Sequence, residues 1–85
     1  RCEQELTKAF EWFTHLDLVR QDAMMDMCFN LGISRLRGFR DALREMSLAN
    51  YEAASVEFLD SNWAEQVGQR AITITNMIRT GEYDA

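Results

Sequence analysis

The chain has no proline and only four glycines in 85 residues. An all-β chain of this size relies on turn dipeptides rich in both, so their scarcity points to helices whose ends are set by caps and glycine stops. A single histidine, His15, leaves no His-based metal set and no Ser-His-acid triad to assemble. At a helix boundary it reads as a surface or capping residue. Two cysteines rule out a four-cysteine zinc cage, and no glycine-rich phosphate loop is present. No uncharged apolar run approaches the roughly 18 residues that a membrane span needs, because the densest stretch, 24–29, is broken by Asp26. Positive charge is also scarce. Nine Lys+Arg against fourteen Asp+Glu give a net charge of −5 and a pI near 4.7, a poor match to a nucleic-acid binder, whose footprint is basic.

What remains is folding material, 47% hydrophobic and 27% charged. Leu6, Ala9, Phe10 and Phe13 recur at helical spacing and predict a helix over residues 3–13. Thr14, followed three residues later by Asp17, reads as the N-cap of a second helix. In that helix Val19, Ala23, Met27 and Leu31 form one apolar row and Leu18, Met25 and Phe29 a second, which predicts a central, nearly buried element ended by Gly32 in a left-handed position. Ser34 caps a short turn. Leu36, Phe39, Leu43 and Met46 carry an amphipathic helix that Gly38 either interrupts or starts. Asn50 caps a helix carried by Tyr51, Ala54 and Phe58, and Ser61 caps one carried by Trp63 and Val67. Ala71, Ile74 and Ile78 carry the last helix to a stop at Gly81. Ile72-Thr73-Ile74-Thr75 alternates like a strand, but period four over eleven residues outweighs period two over four. The expected fold is all-α, a compact lobe of five to seven short helices around a central buried one, forming a single domain over residues 1–85.

A hairpin of the first two helices turning at His15 places Cys2 and Cys28 thirteen residues either side of the turn, level with each other, either as a disulfide or as two free thiols. Asp22 and Asp26, four apart, either share a proton or cation or stand as two solvated carboxylates. Arg35, Arg37, Arg40 and Arg44 form a local cationic patch, either an anion site or a face paired internally through Asp41 and Glu45. No catalytic carboxyl pair, metal set or cofactor box follows from spacing alone.

Several strings are more specific together. Leu16-Asp17-Leu18-Val19-Arg20-Gln21, Asp26-Met27-Cys28-Phe29-Asn30-Leu31-Gly32 and Gly38-Phe39 resemble the C-terminal lobe of phage-type lysozymes, glycoside hydrolase family 24. Asn50-Tyr51-Glu52-Ala53-Ala54 resembles the family's "GDYxxAA" segment, the stretch 60–71 its "DSxWxxQxxxRA" segment, and Met77-Ile78-Arg79-Thr80-Gly81-Glu82-Tyr83 its closing "RTG" turn with an aromatic. The resemblance runs from about Phe13 to Tyr83. It implies an N-acetylmuramidase in which an N-terminal lobe carries the catalytic glutamate and the helical lobe forms the other wall of the peptidoglycan cleft. The catalytic Glu and glycine-rich hairpin of that lobe have no counterpart here, so the chain reads as the helical lobe of a longer parent, opening at Arg1 without an initiator Met. Such a parent is expected to be made in the cytoplasm of a phage-infected bacterium and to act in the periplasm or cell wall.

By the same resemblance Arg70 faces the catalytic glutamate or else is a surface salt-bridge partner. Phe29 and Asn30 touch glycan and peptide, with core packing the other reading of Phe29. Gln66 is a cleft contact or a helix cap, and Trp63 is a buried core residue rather than a sugar platform. Ala42 and Glu57 fall where some relatives place small polar groups toward the substrate. The expected partners are bacterial peptidoglycan, the missing N-terminal lobe and a second copy through an exposed Leu6/Phe10 stripe, with neither nucleic acid nor membrane among them. The alternative is a non-catalytic module that binds cell wall or an inhibitor protein.

Overall fold

The computed structural model describes residues 1–83, and all its regular structure is helical. Seven α-helices follow in order: α1 (Cys2–Ala9), α2 (Leu18–Leu31), α3 (Ile33–Leu36), α4 (Arg40–Ser47), α5 (Tyr51–Leu59), α6 (Asn62–Val67) and α7 (Gln69–Thr80), with a 3-10 turn over Phe13–His15 between α1 and α2. The all-α lobe is therefore observed, at the upper end of the expected helix number.

α1 is shorter than its periodicity predicts. Phe10 turns extended (φ −128°, ψ 110°) and stacks on Trp12 at a ring-centroid distance of 5.0 Å. Phe10 and Phe13 are both buried across this break. Gln21 latches the reversal by donating to the carbonyls of Phe13 and Leu16. The N-cap of α2 is Asp17, not Thr14: the Asp17 carboxylate accepts the Arg20 backbone N–H at 3.1 Å, while Thr14 lies inside the 3-10 turn. Partial burial pushes the Asp17 carboxyl up, but the side-chain bond, backbone N–H and charge of Arg20 outweigh it and hold the group below its ordinary 3.8.

α2 packs between α1, α3 and α7 and buries Ala23, Met24, Met27 and Cys28. Only one side of it is buried. Leu18 and Phe29, expected in a second inward row, stand in solvent, Phe29 at 81% exposure, and Met25 is half-buried. The Leu6/Phe10 stripe, expected as exposed, is instead buried beneath the α1–α2 hairpin. Gly32 has φ +83° as a stop requires, but its ψ of 153° lies outside the helical left-handed basin, so the chain passes straight into α3, within which Ser34 is an interior residue.

α3 and α4 divide the predicted amphipathic helix at Gly38-Phe39, and Leu36, Leu43 and Met46 are buried as their spacing requires. Asn50 precedes α5 without a side-chain cap, and its amide donates to the Glu45 carboxylate. Ser61 caps α6 as expected, accepting the Ala64 N–H. α7 is a helix throughout, so the strand reading of 72–75 is set aside. Phe58, Ile74 and Ile78 are fully buried where α5 packs on α7, each contributing about 1.5–3 kcal/mol of burial. Trp63 is a core residue, edge-on to Phe39 at 6.2 Å.

Arg20 joins the two longest helices. Its Nε donates to the Ile78 carbonyl at 2.6 Å, its Nη2 to the Arg79 carbonyl at 3.2 Å and its Nη1 to Asp17 at 2.9 Å, while the guanidinium lies 3.8 Å over the Tyr51 ring. The two carbonyls belong to the last turn of α7, where intrahelical partners run out. Gly81 ends α7 in the left-handed conformation, φ +74° and ψ 18°. No helix among the described residues is long and apolar enough to cross a membrane.

Candidate functional site

An open groove of about 870 Å³ runs along α2, with Cys2 and Glu5 of α1 at one end, Asp22, Asp26 and Phe29 of α2 along it, and Met77 of α7 beside them. Asp22 and Asp26 lie one turn apart on the same helix face, as their spacing of four dictates. Each has its own partner. Asp26 accepts Arg70 Nη2 at 2.6 Å and the Asn30 amide at 3.1 Å, and Asp22 accepts the Tyr83 hydroxyl. That hydrogen bond, helped by slight desolvation and the Asp22 charge, holds the Tyr83 phenol above its ordinary 10.0.

Two of the four expected site residues therefore meet. Phe29 lines the groove almost wholly in solvent, the opposite of a core position, and Asn30 and Arg70 converge on Asp26 from successive turns of α2 and from the first turn of α7. The Arg70–Asp26 pair is half in water, with side-chain exposures of 54% and 33%, so it fixes orientation more than it stabilises the fold. Gln66 is not among them; it lies exposed on α6, within the helix and not at its cap. Ala42 is buried and Glu57 exposed around a separate small hollow of about 160 Å³, which Gly38 and Ser61 also line.

The arginine patch does not pair internally as expected. Among the described residues the ion pairs are Arg20–Asp17 and Arg70–Asp26, which leaves Arg35, Arg37, Arg40 and Arg44 exposed without a carboxylate. The backbone break at Gly38-Phe39 removes the regular helical spacing by which Arg37 would have reached Asp41.

At the α1 end of the groove Cys2 and Cys28 are free thiols brought level by the hairpin. Their sulfur atoms and a Glu5 carboxylate oxygen all lie within 4.8 Å of one another. Burial, the neighbouring Cys2 thiol and the Glu5 carboxylate push the Cys28 thiol up to about 12. The sequence singles out Asp22 and Asp26 as a pair but not their roles, Asp26 as the hub for Arg70 and Asn30 and Asp22 as the anchor of Tyr83. The i, i+4 spacing of Asp22, Asp26 and Asn30 was the available signal, and it lacked the α7 and C-terminal partners that give it meaning.

No protein-family model matches the chain. Over 73 residues, 86% of its length, it is 26% identical to a protein of Dictyostelium discoideum described as probable T4-type lysozyme 1. Over 69 residues, 81% of its length, it is 26% identical to probable T4-type lysozyme 2 of the same organism. The chain spans 43% and 41% of the lengths of these two relatives. An all-helical lobe with a groove walled by Phe29 and Asp26 is thus distantly related in sequence to T4-type lysozymes.

Proposed function

We propose that this chain is the helical substrate wall of a T4-type lysozyme, a peptidoglycan-cleaving N-acetylmuramidase whose proton donor lies on a second lobe outside these residues. The reading rests on the sequence relationship over 86% of the chain. The geometric observation that carries it is the meeting of Arg70 with Asp26 at the lip of a groove from which the apolar face of Phe29 projects. A glycan presents apolar ring faces beside N-acetyl and peptide amides, and an exposed aromatic, the Asn30 amide oxygen as an acceptor and the Arg70 guanidinium as a donor match that mixture. Arg70, held by Asp26 at one nitrogen, keeps further donors for the cleft, and a fixed cation there would favour the ionised form of an opposing glutamate.

The groove's own carboxyls suit this role better than turnover. A glycosidase holds two carboxyls across the scissile bond, about 5–9.5 Å apart, with one kept protonated. Asp22 and Asp26 stand on a single wall, and Asp26 is neutralised by Arg70. In this reading the second lobe covers the groove and the Phe29 side of α2.

The test combines sedimentation with purified peptidoglycan and a turbidity assay on the same material. The chain should bind without clearing, and Arg70→Ala should lose binding while keeping its helical circular dichroism. Clearing by the chain alone would move catalysis onto Glu5, Asp22 or Asp26, and binding undiminished in Arg70→Ala would remove the site from this wall.

A further inference from the structure

We propose that Cys2, Glu5 and Cys28 form a binding site for one thiophilic divalent cation, Zn²⁺ above all, at the α1 end of the groove. Two sulfurs and a carboxylate oxygen converge within 4.8 Å, contributed by two helices that the Phe10 break folds against each other. A tetrahedral zinc with Zn–S near 2.3 Å and Zn–O near 2.1 Å sets its ligand atoms about 3.6–3.8 Å apart. Cys28 Sγ and the Glu5 carboxylate already stand at 3.8 Å, and the Cys2 sulfur, at the first position of α1, lies within 4.8 Å of both. The donor set is also selective: paired thiolates favour zinc over the hard cations Mg²⁺ and Ca²⁺, which take oxygen ligands.

Electrostatics favours a cation in the same place. Glu5 and Asp22 line the groove against Arg1, while Asp26 is paired with Arg70. A dication would be bound by the thiolates and the carboxylate as anions. A disulfide uses only the two sulfurs and gives Glu5 no part. The three residues would supply three ligands, and a fourth would have to come from water or another group. The site would also tie the start of α1 to the middle of α2, so binding is expected to stabilise the hairpin.

The experiment is a Co²⁺ titration of the reduced chain, followed by its visible d–d bands and near-ultraviolet thiolate-to-cobalt charge transfer, with Zn²⁺ as competitor. The expected result is saturation at one metal per chain with tetrahedral band intensities, loss of the signal on Zn²⁺ addition, and a rise in melting temperature with Zn²⁺. Cys28→Ser should lose half the charge-transfer intensity or all binding. Glu5→Gln, a half-exposed change that leaves the core intact, should keep the thiolate signal but weaken affinity. Absence of charge transfer in the reduced chain, a signal unchanged in Cys28→Ser, an affinity unchanged in Glu5→Gln, or one metal per two chains would each overturn the site.

Discussion

Replacing Arg20 by alanine removes a guanidinium that touches three separate elements, and the structure allows the loss to be sized. Two bonds run to α7 carbonyls, at 2.6 Å from Nε to Ile78 and 3.2 Å from Nη2 to Arg79. A hydrogen bond from a charged donor contributes about 1.5–3 kcal/mol, and the long second bond falls below that range. The stacking on Tyr51 at 3.8 Å adds about 0.5–1 kcal/mol, and the Asp17 pair adds less than about 1 kcal/mol. The α7 carbonyls lie at a helix end that water can reach, which returns part of the cost. A net loss of about 2–4 kcal/mol follows.

Against a total near 4–13 kcal/mol for a domain of this size, that change is large. Urea denaturation followed by circular dichroism should give an unchanged m-value with a lower midpoint, and the melting temperature should fall by roughly 10–25 °C. Arg20→Lys is the discriminating variant: an ammonium keeps the charge but reaches one carbonyl and loses the planar stack, so about half the loss is expected. A loss under about 1 kcal/mol for Arg20→Ala, or a lysine variant as stable as the parent, would refute the claim that the fork joins α2 to α7.

Two further outcomes follow from the same junction. In Gly81→Ala the new Cβ meets Arg20 Nη1 at 2.8 Å and must accept φ +74°, so a loss of about 1–2 kcal/mol is expected in the same urea assay, shrinking when Arg20 is already alanine. Asp17 is held below its ordinary 3.8, so its contribution is fully present above that value and is lost as pH falls through the lower folded-state value; melting curves between pH 7 and pH 2 should therefore fall more steeply for the parent than for Asp17→Asn, and parallel curves would remove the effect.

Why some of this was legible in the sequence is clearest at α2. Period and glycine stop located the helix, and the arithmetic of the hairpin set Cys2 level with Cys28, because both depend only on rise per residue and on where the chain reverses. Which apolar row faces inward depends on what packs against it. α1 and α7 cover the side of Ala23, Met24 and Met27, so Phe29, equally apolar, is left in solvent. The choice between Thr14 and Asp17 as cap was likewise decided from outside, since Arg20 binds Asp17 through both its backbone N–H and its guanidinium.

The polar residues of α2 divide by what lies opposite them, a division that spacing along the helix does not contain. Arg20 points to the end of α7 and becomes part of the fold, at 16% side-chain exposure; Asp26, less than two turns further on, meets the start of the same α7 through Arg70 and stays half open to the groove. Since α7 runs antiparallel to this part of α2, its unpaired carbonyls fall beside the arginine and its first turn beside the aspartate. The two ion pairs are similar in kind but unequal in consequence: the Arg20 fork desolvates against backbone acceptors and bears on stability, whereas the wetter Arg70–Asp26 contact costs the fold little when broken. A sequence reading that ranks arginines by local charge clustering selects Arg35 to Arg44, the patch that pairs with no carboxylate among the described residues, and passes over the two arginines that α7 makes decisive.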